Sequence, residues 1–213
     1  MGAATADVVF THAASIEQGQ AFYRDIKGRA LRLGRDPEQL LVLPGAEIYV
    51  GDTDEHAREI ERHYHQVDHS FELALKEFGR NFGWHDFTQY DLDAPFPQHS
   101  LEHARSSFYT NAKRIADQAR EKSFSLRQAV EFGRQLLPGT FVGSPSTVAA
   151  KMAEWFEARA LDGFNIYIGH PGQFRRFTEQ VVPLLQERGI YRTAYEGSTL
   201  RESLGLTIPH FNR

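Results

Sequence analysis

The sequence predicts an α/β fold in which short buried strands alternate with amphipathic helices. Two observations support this prediction. Apolar, β-branched runs such as residues 6–11 and 164–168 are too short to be helices. The longer segments between such runs carry apolar residues at a spacing of three to four. This alternation is typical of parallel β/α units, and the clear strands are too few to close an eight-stranded barrel.

The first predicted strand, Ala6–Thr11, leads into a helix that begins at Ser15. The Ser15 hydroxyl can accept a hydrogen bond from a free backbone amide, and Gln18 three residues later completes a capping-box pattern. Gly34 is expected to end this helix, because glycine readily adopts the left-handed conformation that closes helices.

The second predicted strand spans residues 40–50 and contains Pro44-Gly45. Proline cannot donate a hydrogen bond to a neighbouring strand, so we expect a break or bulge there. A long helix should then run from residue 51 to a stop at Gly79. The aromatic, proline-containing segment 80–100 is predicted to be irregular, and a loop of that length in a compact domain is usually functional or mobile.

The second half of the chain continues the alternation. Helices are predicted from Leu101 to Ala119 and from a capping pattern at Ser125–Gln128 onward. The remaining predicted elements are a short strand at 141–143, a helix that begins at Ser144-Pro145, a strand at 164–168, a closing helix at 174–184 that Pro183 kinks or restarts, and a tail at 191–213 with little regular pattern.

Composition excludes several classes of protein. Hydrophobic residues make up 41% and charged residues 24% of the chain, which is typical of globular domains. The net charge of −4 argues against a nucleic-acid-binding protein. The absence of cysteine excludes disulfides and thiolate sites and favours a reducing compartment. Because no leader or membrane-length apolar run is present, we expect a cytoplasmic protein with no membrane partner.

Two histidines, His65 and His69, have the spacing of a zinc-binding pair on a helix. The intervening residues lack the glutamate of the zinc-protease motif, and no third ligand is evident. A solvated helix face is therefore the favoured interpretation, and no metal site is predicted.

His85 lies in the aromatic loop Phe82–Phe87 and is our candidate catalytic residue. A histidine there can exchange protons with reacting atoms near neutral pH. The alternative is an ordinary loop histidine hydrogen-bonded to Asp86 or to solvent. The sequence leaves both interpretations open.

Phe10, Thr11 and His12 lie at the carboxyl end of the first predicted strand, where catalytic barrels collect their pocket residues. They are candidate substrate-pocket residues, although Phe10 could equally be a core residue. His170, after the last strand, has the same positional argument, but histidines are common in loops.

Other motifs favour ordinary structural roles. Ser144-Pro145 could bind an anion at a helix start, but helix capping is the favoured role. Gly169–Gly172 lacks the lysine and the glycine spacing of a phosphate-binding loop. The chain contains no Gly-x-Ser-x-Gly motif, so a serine hydrolase is not supported.

Several stretches, in their order and spacing, point to one family. They are Ala6–Thr11, Leu33–Pro37 leading to Val42–Gly45, Tyr90–Pro95, Phe141–Pro145, Asp162–Asn165, Val182–Leu185 with Arg188-Gly189, and Tyr195–Arg201. In these stretches the chain resembles flavin-dependent monooxygenases of the bacterial-luciferase-like superfamily, specifically those that act on nitrilotriacetate, EDTA, dibenzothiophene sulfone and streptogramin A.

The resemblance implies a C-terminal portion, about the last three βα units, of a TIM-type barrel with a helical insertion at roughly residues 80–140. It also implies a monooxygenase that uses O2 to oxygenate a small organic substrate. The implied cofactor is reduced FMN, supplied by a separate flavin reductase. Independently of the resemblance, a homo-oligomer is a further candidate state of the chain.

Family members are considerably longer than this chain. Their Gly-Ser-Ser turn, which binds the FMN phosphate, precedes the counterpart of Ala6–Thr11, so the cofactor-binding residues of this chain stay unknown. We therefore expect the chain alone to bind FMN weakly. The competing interpretations are an inactive half-barrel and a binding or interaction domain that completes a barrel by dimerising.

Overall fold

A computed structural model describes residues 1–67, 71–104, 108–134, 139–168 and 172–208. The chain divides into two compact units. The sheet unit comprises Met1–Glu61 and Pro138–Arg213, and the helical unit comprises Arg62–Leu137. The helical unit begins before the insertion that the sequence predicts at about residue 80, and its status as an insertion in a barrel stays a prediction.

The sheet unit contains a parallel sheet, which confirms the predicted α/β class. Its strands are β1 (Val8–Thr11), β2 (Leu41–Val50), β3 (Gly139–Gly143) and β4 (Asn165–Tyr167). β2 pairs with β1 through residues 41–44, with β4 through residues 45–47 and with β3 through residues 46–50. Because residues 46 and 47 pair with both β3 and β4, these two strands lie on opposite edges of β2.

The predicted break at Pro44-Gly45 is wrong, because β2 is continuous from Leu41 to Val50. Pro44 pairs with Thr11, the last residue of β1, and the pairing with β4 begins at Gly45. The missing N–H of Pro44 therefore falls where β2 changes partners and no long ladder is interrupted.

The described ranges contain ten α-helices. They are α1 (Gly2–Thr5), α2 (Ile16–Arg32), α3 (Asp54–Val67), α4 (Phe71–Asn81), α5 (Tyr109–Glu121), α6 (Leu126–Arg134), α7 (Pro145–Glu157), α8 (Gln173–Arg176), α9 (Val182–Glu187) and α10 (Leu200–Ser203). Within these ranges, every helix is too short or too polar to cross a lipid bilayer.

Local capping chemistry sets several of these helix ends, as the sequence predicts. The Ser15 hydroxyl accepts a hydrogen bond from the Gln18 N–H, and Gly34 follows α2 with a φ of 75°. Ser125 and Gln128 exchange side-chain-to-backbone hydrogen bonds at the start of α6. These reciprocal bonds satisfy backbone amides that a helix start otherwise leaves free.

The core of the sheet unit lies between the strands and α7 to α9. Ile48, Val50 and Phe141 from the sheet pack with Val148 and Val181 from the helices, and all five are buried. Burial of apolar surface of this kind is the main stabilising contribution to a fold.

The closing helix changes its winding before Pro183. The segment Phe177–Val181 forms a π-helical turn, and α9 restarts as a regular helix at Val182. Proline lacks an N–H and clashes with the carbonyl four residues earlier, so the wider turn accommodates it. The change of winding lies next to Pro183, where the sequence predicts a kink or a restart.

The helical unit has a core of its own that is rich in aromatic rings. Phe78, Phe82, Phe87 and Phe96 are buried, with ring centroids 4.9–6.2 Å apart in their closest pairs. Edge-to-face and offset ring pairs of this kind add to the stabilisation from burial itself.

The structure describes helix on both sides of residues 68–70 within the long helix predicted for residues 51–79, and whether it is a single element stays a prediction. These helices are α3 and α4, and residues 68–70 between them lie outside the described part of the chain. Gly79 does not end α4, which runs to Asn81. A Cβ atom at Gly79 would lie 2.3 Å from the carbonyl oxygen of His85, so this glycine permits a close backbone approach.

The tail is more ordered than its sequence pattern predicts. Thr199 and Glu202 form a reciprocal capping box around α10. Arg201 then binds the Asp7 carboxylate through both of its terminal nitrogens, at 2.6 and 2.8 Å. This bidentate pair ties the tail to the residue before β1.

Candidate functional site

Phe10, Thr11 and His12 lie at the carboxyl end of β1, as predicted. The Phe10 side chain is 45% exposed, so it is not a core residue within this chain. Its ring meets the His12 ring edge to face at 4.8 Å. Together the two rings form an aromatic surface at the end of the strand where β/α folds place their binding residues.

A charged cluster follows β2 at the same edge of the sheet. Asp52 Oδ1 accepts a hydrogen bond from Arg176 Nη1 at 2.7 Å, and His56 Nδ1 lies 3.3 Å from Asp52 Oδ2. The hydrogen bond and the charge of Arg176 hold the pKa of Asp52 below its ordinary value. The positive charge of Arg176 is thus partly neutralised by Asp52.

Asp54 connects the end of β3 to the start of α3. Its Oδ1 accepts a hydrogen bond from the Ser144 N–H at 2.7 Å, and this bond lowers the pKa of Asp54. The Ser144 hydroxyl in turn accepts from the Thr147 N–H at 3.4 Å. The capping role predicted for Ser144 is confirmed, and the Asp54 carboxylate already accepts the N–H of this capping residue.

Gln173 closes the exposed edge of β2 beyond the end of β4. Its Oε1 accepts from the Val50 N–H at 2.6 Å, and its Nε2 donates to the Val50 carbonyl at 3.1 Å. Gln173 is only 3% exposed. One side-chain amide therefore satisfies both backbone groups of Val50 that a strand neighbour would otherwise satisfy.

His85 belongs to a cluster of rings in the helical unit. Its Nε2 lies 2.9 Å from the Tyr90 hydroxyl, and the same hydroxyl lies 3.0 Å from Nε2 of His99. The His103 ring stacks on the His85 ring at 4.6 Å and 11°. Asp86, the partner in the simpler interpretation, instead accepts hydrogen bonds from the Thr88 amide and hydroxyl.

The surroundings of His85 disfavour its charged form. Burial lowers the pKa of His85, and the neighbouring His103 and His99 lower it further, while Asp86 opposes them. A histidine in this state is neutral at neutral pH and can accept a proton. A neutral imidazole has one ring nitrogen that accepts a proton and one that donates, so His85 can exchange protons in either direction.

Backbone geometry holds this loop in place. Gly83 has a φ of 65°, and a Cβ atom there would lie 2.2 Å from the His103 carbonyl oxygen. Trp84 also has a positive φ, 66°, yet its side chain is 74% exposed. A bulky residue in this conformation is strained, and such strain is concentrated at functional sites.

The other predicted histidines are not part of a described cluster. His170 and His69 lie outside the described residues, and so does the side chain of His65 on α3. In the ranges that the structure describes, no group of histidine, aspartate or glutamate side chains is arranged to hold a metal ion.

An apolar cavity of about 370 Å³ lies toward the amino ends of β2 and β4. Leu43, Met152, Phe164 and Leu185 contribute to its lining, and Arg192 stands among them. No candidate site residue lines it. In β/α folds this end of the strands usually contributes to stability and the opposite end to chemistry.

Sequence reasoning missed the partners of the site residues. Asp52 and Asp54 follow β2 directly, so the rule that ligands bind beyond the carboxyl ends of parallel strands could have selected them. Tyr90 and His99 gave no such indication, because their convergence on His85 depends on the path of the loop.

Comparison with known proteins matches residues 1–162 to the family model described as luciferase-like monooxygenase. The chain is 35% identical to N-acetyl-S-(2-succino)cysteine monooxygenase of Bacillus subtilis (strain 168), covering 98% of this chain and 47% of that protein. It is 38% identical to nitrilotriacetate monooxygenase component A of Aminobacter aminovorans, covering 98% and 46%.

Among solved structures, a long-chain alkane monooxygenase superposes with a TM-score of 0.69 at 29% identity, covering 96% of this chain and 42% of that one. The chain thus spans slightly less than half the length of the relatives it matches.

Proposed function

Since the chain belongs to the luciferase-like monooxygenase family, we propose that it supplies the carboxyl-terminal part of the catalytic domain of a flavin-dependent monooxygenase. In this proposal the complete domain oxygenates a small organic substrate with O2. It uses reduced FMN that a separate flavin reductase delivers.

One observation carries the proposal. The family match over residues 1–162 includes both the strand end with Phe10 and His12 and the loop with His85. In this proposal the Phe10 and His12 rings form part of a pocket wall, and His85 exchanges a proton with the reacting substrate. The exposure of Phe10 and the lowered pKa of His85 support these two roles.

The described residues fit only part of an FMN molecule. The exposed Phe10 ring suits the flat, apolar face of a flavin. The start of α7 and the Arg176 guanidinium are less suited to a phosphate, because Asp54 already accepts the Ser144 N–H and Arg176 is paired with Asp52. We therefore assign no reaction step to FMN on this chain and expect the chain alone to bind it weakly.

A second function, that of a binding or interaction domain, is favoured by the exposed face of β1. Val8 and Phe10 alternate with half-buried neighbours and are 37% and 45% exposed. Exposed apolar residues on an edge strand are a usual site of association with another chain. Association with a second copy would satisfy this face without any catalysis.

The proposal can be tested by complementation. The purified chain would be mixed with FMN, a flavin reductase and NADH, with and without a separately produced amino-terminal half of nitrilotriacetate monooxygenase component A. Nitrilotriacetate loss and O2 uptake would be followed, and the isolated halves serve as controls. We expect substrate oxygenation only when both halves are present.

Two results would contradict the proposal. Tight FMN binding by the chain alone, with a dissociation constant of about 1 μM or below, would show that the phosphate fit is misjudged. A stable complex of the two halves that consumes no nitrilotriacetate would favour the interaction domain.

A further inference from the structure

The Tyr90 hydroxyl stands between two imidazoles. Its oxygen lies 2.9 Å from Nε2 of His85 and 3.0 Å from Nε2 of His99, and the two histidine rings are 6.3 Å apart. Both distances are typical of hydrogen bonds. The three side chains therefore form one continuous hydrogen-bonded chain.

The number of protons that the His85–Tyr90–His99 hydrogen bonds can share is limited. A phenol has one O–H and can donate it to only one of the two nitrogens. When both histidines are neutral, the other imidazole must carry its proton on Nε2 and donate it to the phenol oxygen. Only two arrangements satisfy both bonds, and they differ in the tautomer of each histidine.

The two ends of this hydrogen-bonded series, His99 and His85, have different surroundings. His99 is exposed, whereas His85 and Tyr90 are half-buried. The face of His85 is covered by the stacked His103 ring. The backbone contacts of Gly79 and Gly83 fix the loop that holds this stack. Solvent thus has its most direct access to the chain at His99.

We propose that His99, Tyr90 and His85 form a proton relay between solvent and the His85 imidazole. A proton from water adds to Nδ1 of His99, and the proton on its Nε2 moves to the Tyr90 oxygen. The Tyr90 hydroxyl proton moves to Nε2 of His85, and the proton on Nδ1 of His85 leaves. One proton enters, one leaves, and nothing is oxidised or reduced.

The charged neighbours of the relay are few among the described residues. His103 and Asp86 act on His85 with opposite effects, and Asp86 is itself influenced by Lys76. Asp86 is held by Thr88 and does not contact the relay directly. These groups change how readily His85 accepts a proton, but they offer no second hydrogen-bonded route to it.

The relay rests on the proposed function in one respect only, namely that the reacting substrate is the acceptor at His85. The hydrogen-bonded chain can be tested without any substrate. Nitrogen-15 NMR of the histidine side chains in the 213-residue protein distinguishes protons on Nδ1 from protons on Nε2. We expect complementary populations: the fraction of His85 protonated on Nε2 should fall as that of His99 rises.

Tyr90→Phe removes the shared hydroxyl and keeps the aromatic ring. In this variant the His85 and His99 populations should become independent, and protonation of His99 should no longer shift the His85 signals. Tyr109→Phe, at a 45% exposed tyrosine of the same unit, is the matched control and should leave both unchanged. If Tyr90→Phe does not fold, His99→Gln removes the exposed imidazole of the relay, and the fraction of His85 protonated on Nε2 should then change from its value in the unmodified protein.

Populations that are not complementary in the unmodified protein, or that Tyr90→Phe leaves unaltered, would overturn the relay. The proposed function is tested separately by His85→Ala in the complemented enzyme. Normal oxygenation by His85→Ala, together with complementary tautomers in the unmodified protein, would contradict the catalytic role of His85 and still support the relay.

Discussion

The hydroxyl of Tyr23 donates a hydrogen bond of 2.9 Å to Oδ1 of Asp162, across 139 positions of sequence. Lys27 Nζ lies 3.1 Å from Oδ2 of the same carboxylate, and the Val42 N–H donates to it as well. Asp162 therefore joins α2, β2 and the turn before β4. A carboxylate with this many donors is stable at a largely buried position.

This arrangement predicts a stability difference at alkaline pH. Burial, and then the hydrogen bond to Asp162, raise the pKa of Tyr23 from 10.0 to about 12. The folded protein therefore holds this proton more tightly than the unfolded chain does. The contribution of this pKa difference to the free energy of unfolding is complete below pH 10 and is lost as the pH rises toward 12.

Tyr23→Phe should accordingly be less stable than the unmodified protein below pH 10, and the difference should shrink as the pH approaches 12. Urea unfolding at a series of pH values measures it. Tyr109→Phe, at an exposed tyrosine, should show no such pH-dependent difference. If the difference in unfolding free energy between Tyr23→Phe and the unmodified protein stays constant across this pH range, the Tyr23 pKa is not raised.

The hydrogen bonds of Gln173 to the Val50 backbone lead to a prediction about stability. Gln173→Leu keeps the volume but leaves the buried N–H and C=O of Val50 without partners. We expect a loss of about 2–4 kcal/mol in the free energy of unfolding. Gln186→Leu is the control, because Gln186 makes one exposed bond to the Arg192 carbonyl.

The control should lose well under about 1 kcal/mol. Chemical denaturation of both variants gives the comparison. Equal losses would mean that water replaces the Gln173 amide at Val50 without cost.

Two residues in the left-handed conformation predict stabilising substitutions. Ser123 follows α5 and Arg159 follows α7, each with a φ of 52°. Glycine adopts this conformation without steric strain, so Ser123→Gly and Arg159→Gly should each gain about 0.5–1 kcal/mol. The lost Arg159–Glu38 contact, at 3.5 Å between exposed side chains, should matter little.

Gly34→Ala provides the reverse test. Gly34 has a φ of 75° and open space where a Cβ atom would lie, so only its conformation opposes a side chain. It should lose about 1 kcal/mol. Thermal unfolding of the variants checks all three, and a destabilised Ser123→Gly together with an unaffected Gly34→Ala would contradict the conformational explanation.

Short-range chemistry explains which parts of the fold could be predicted. The capping pairs at Ser15, Ser125 and Ser144 depend on residues three positions apart, and the structure confirms each of them. The tail capping box at Thr199 had the same form and could have been found. Alternation of strands and helices likewise gave the fold class.

Long-range chemistry could not be predicted in this way. Lys27 lies on the buried face of α2, where helical periodicity predicts an apolar residue. Its charge is accommodated there because it pairs with Asp162, which lies 135 positions later in the sequence. The continuity of β2 through Pro44 depends on where neighbouring strands begin and end. His85 could be selected from its aromatic loop, but its hydrogen-bond partners could not.

The role of His85 leads to the prediction that bears most directly on function. In the complemented enzyme, His85→Ala should lower the rate of oxygenation by about 10²-fold or more, which is the usual effect of losing a positioned acid–base group. His63→Ala is the matched control, since His63 is an exposed histidine on α3. It should leave the rate unchanged.

Stability separates a catalytic effect from a structural one. His85 is half-buried and makes one hydrogen bond, to Tyr90, so the alanine variant should lose only about 1 kcal/mol of folding free energy. Product formed per reduced FMN consumed, measured beside a melting curve, distinguishes the two. A variant that melts normally and oxygenates normally would make His85 an ordinary loop residue. The pocket wall at Phe10 would then be the remaining candidate contribution of this chain to catalysis.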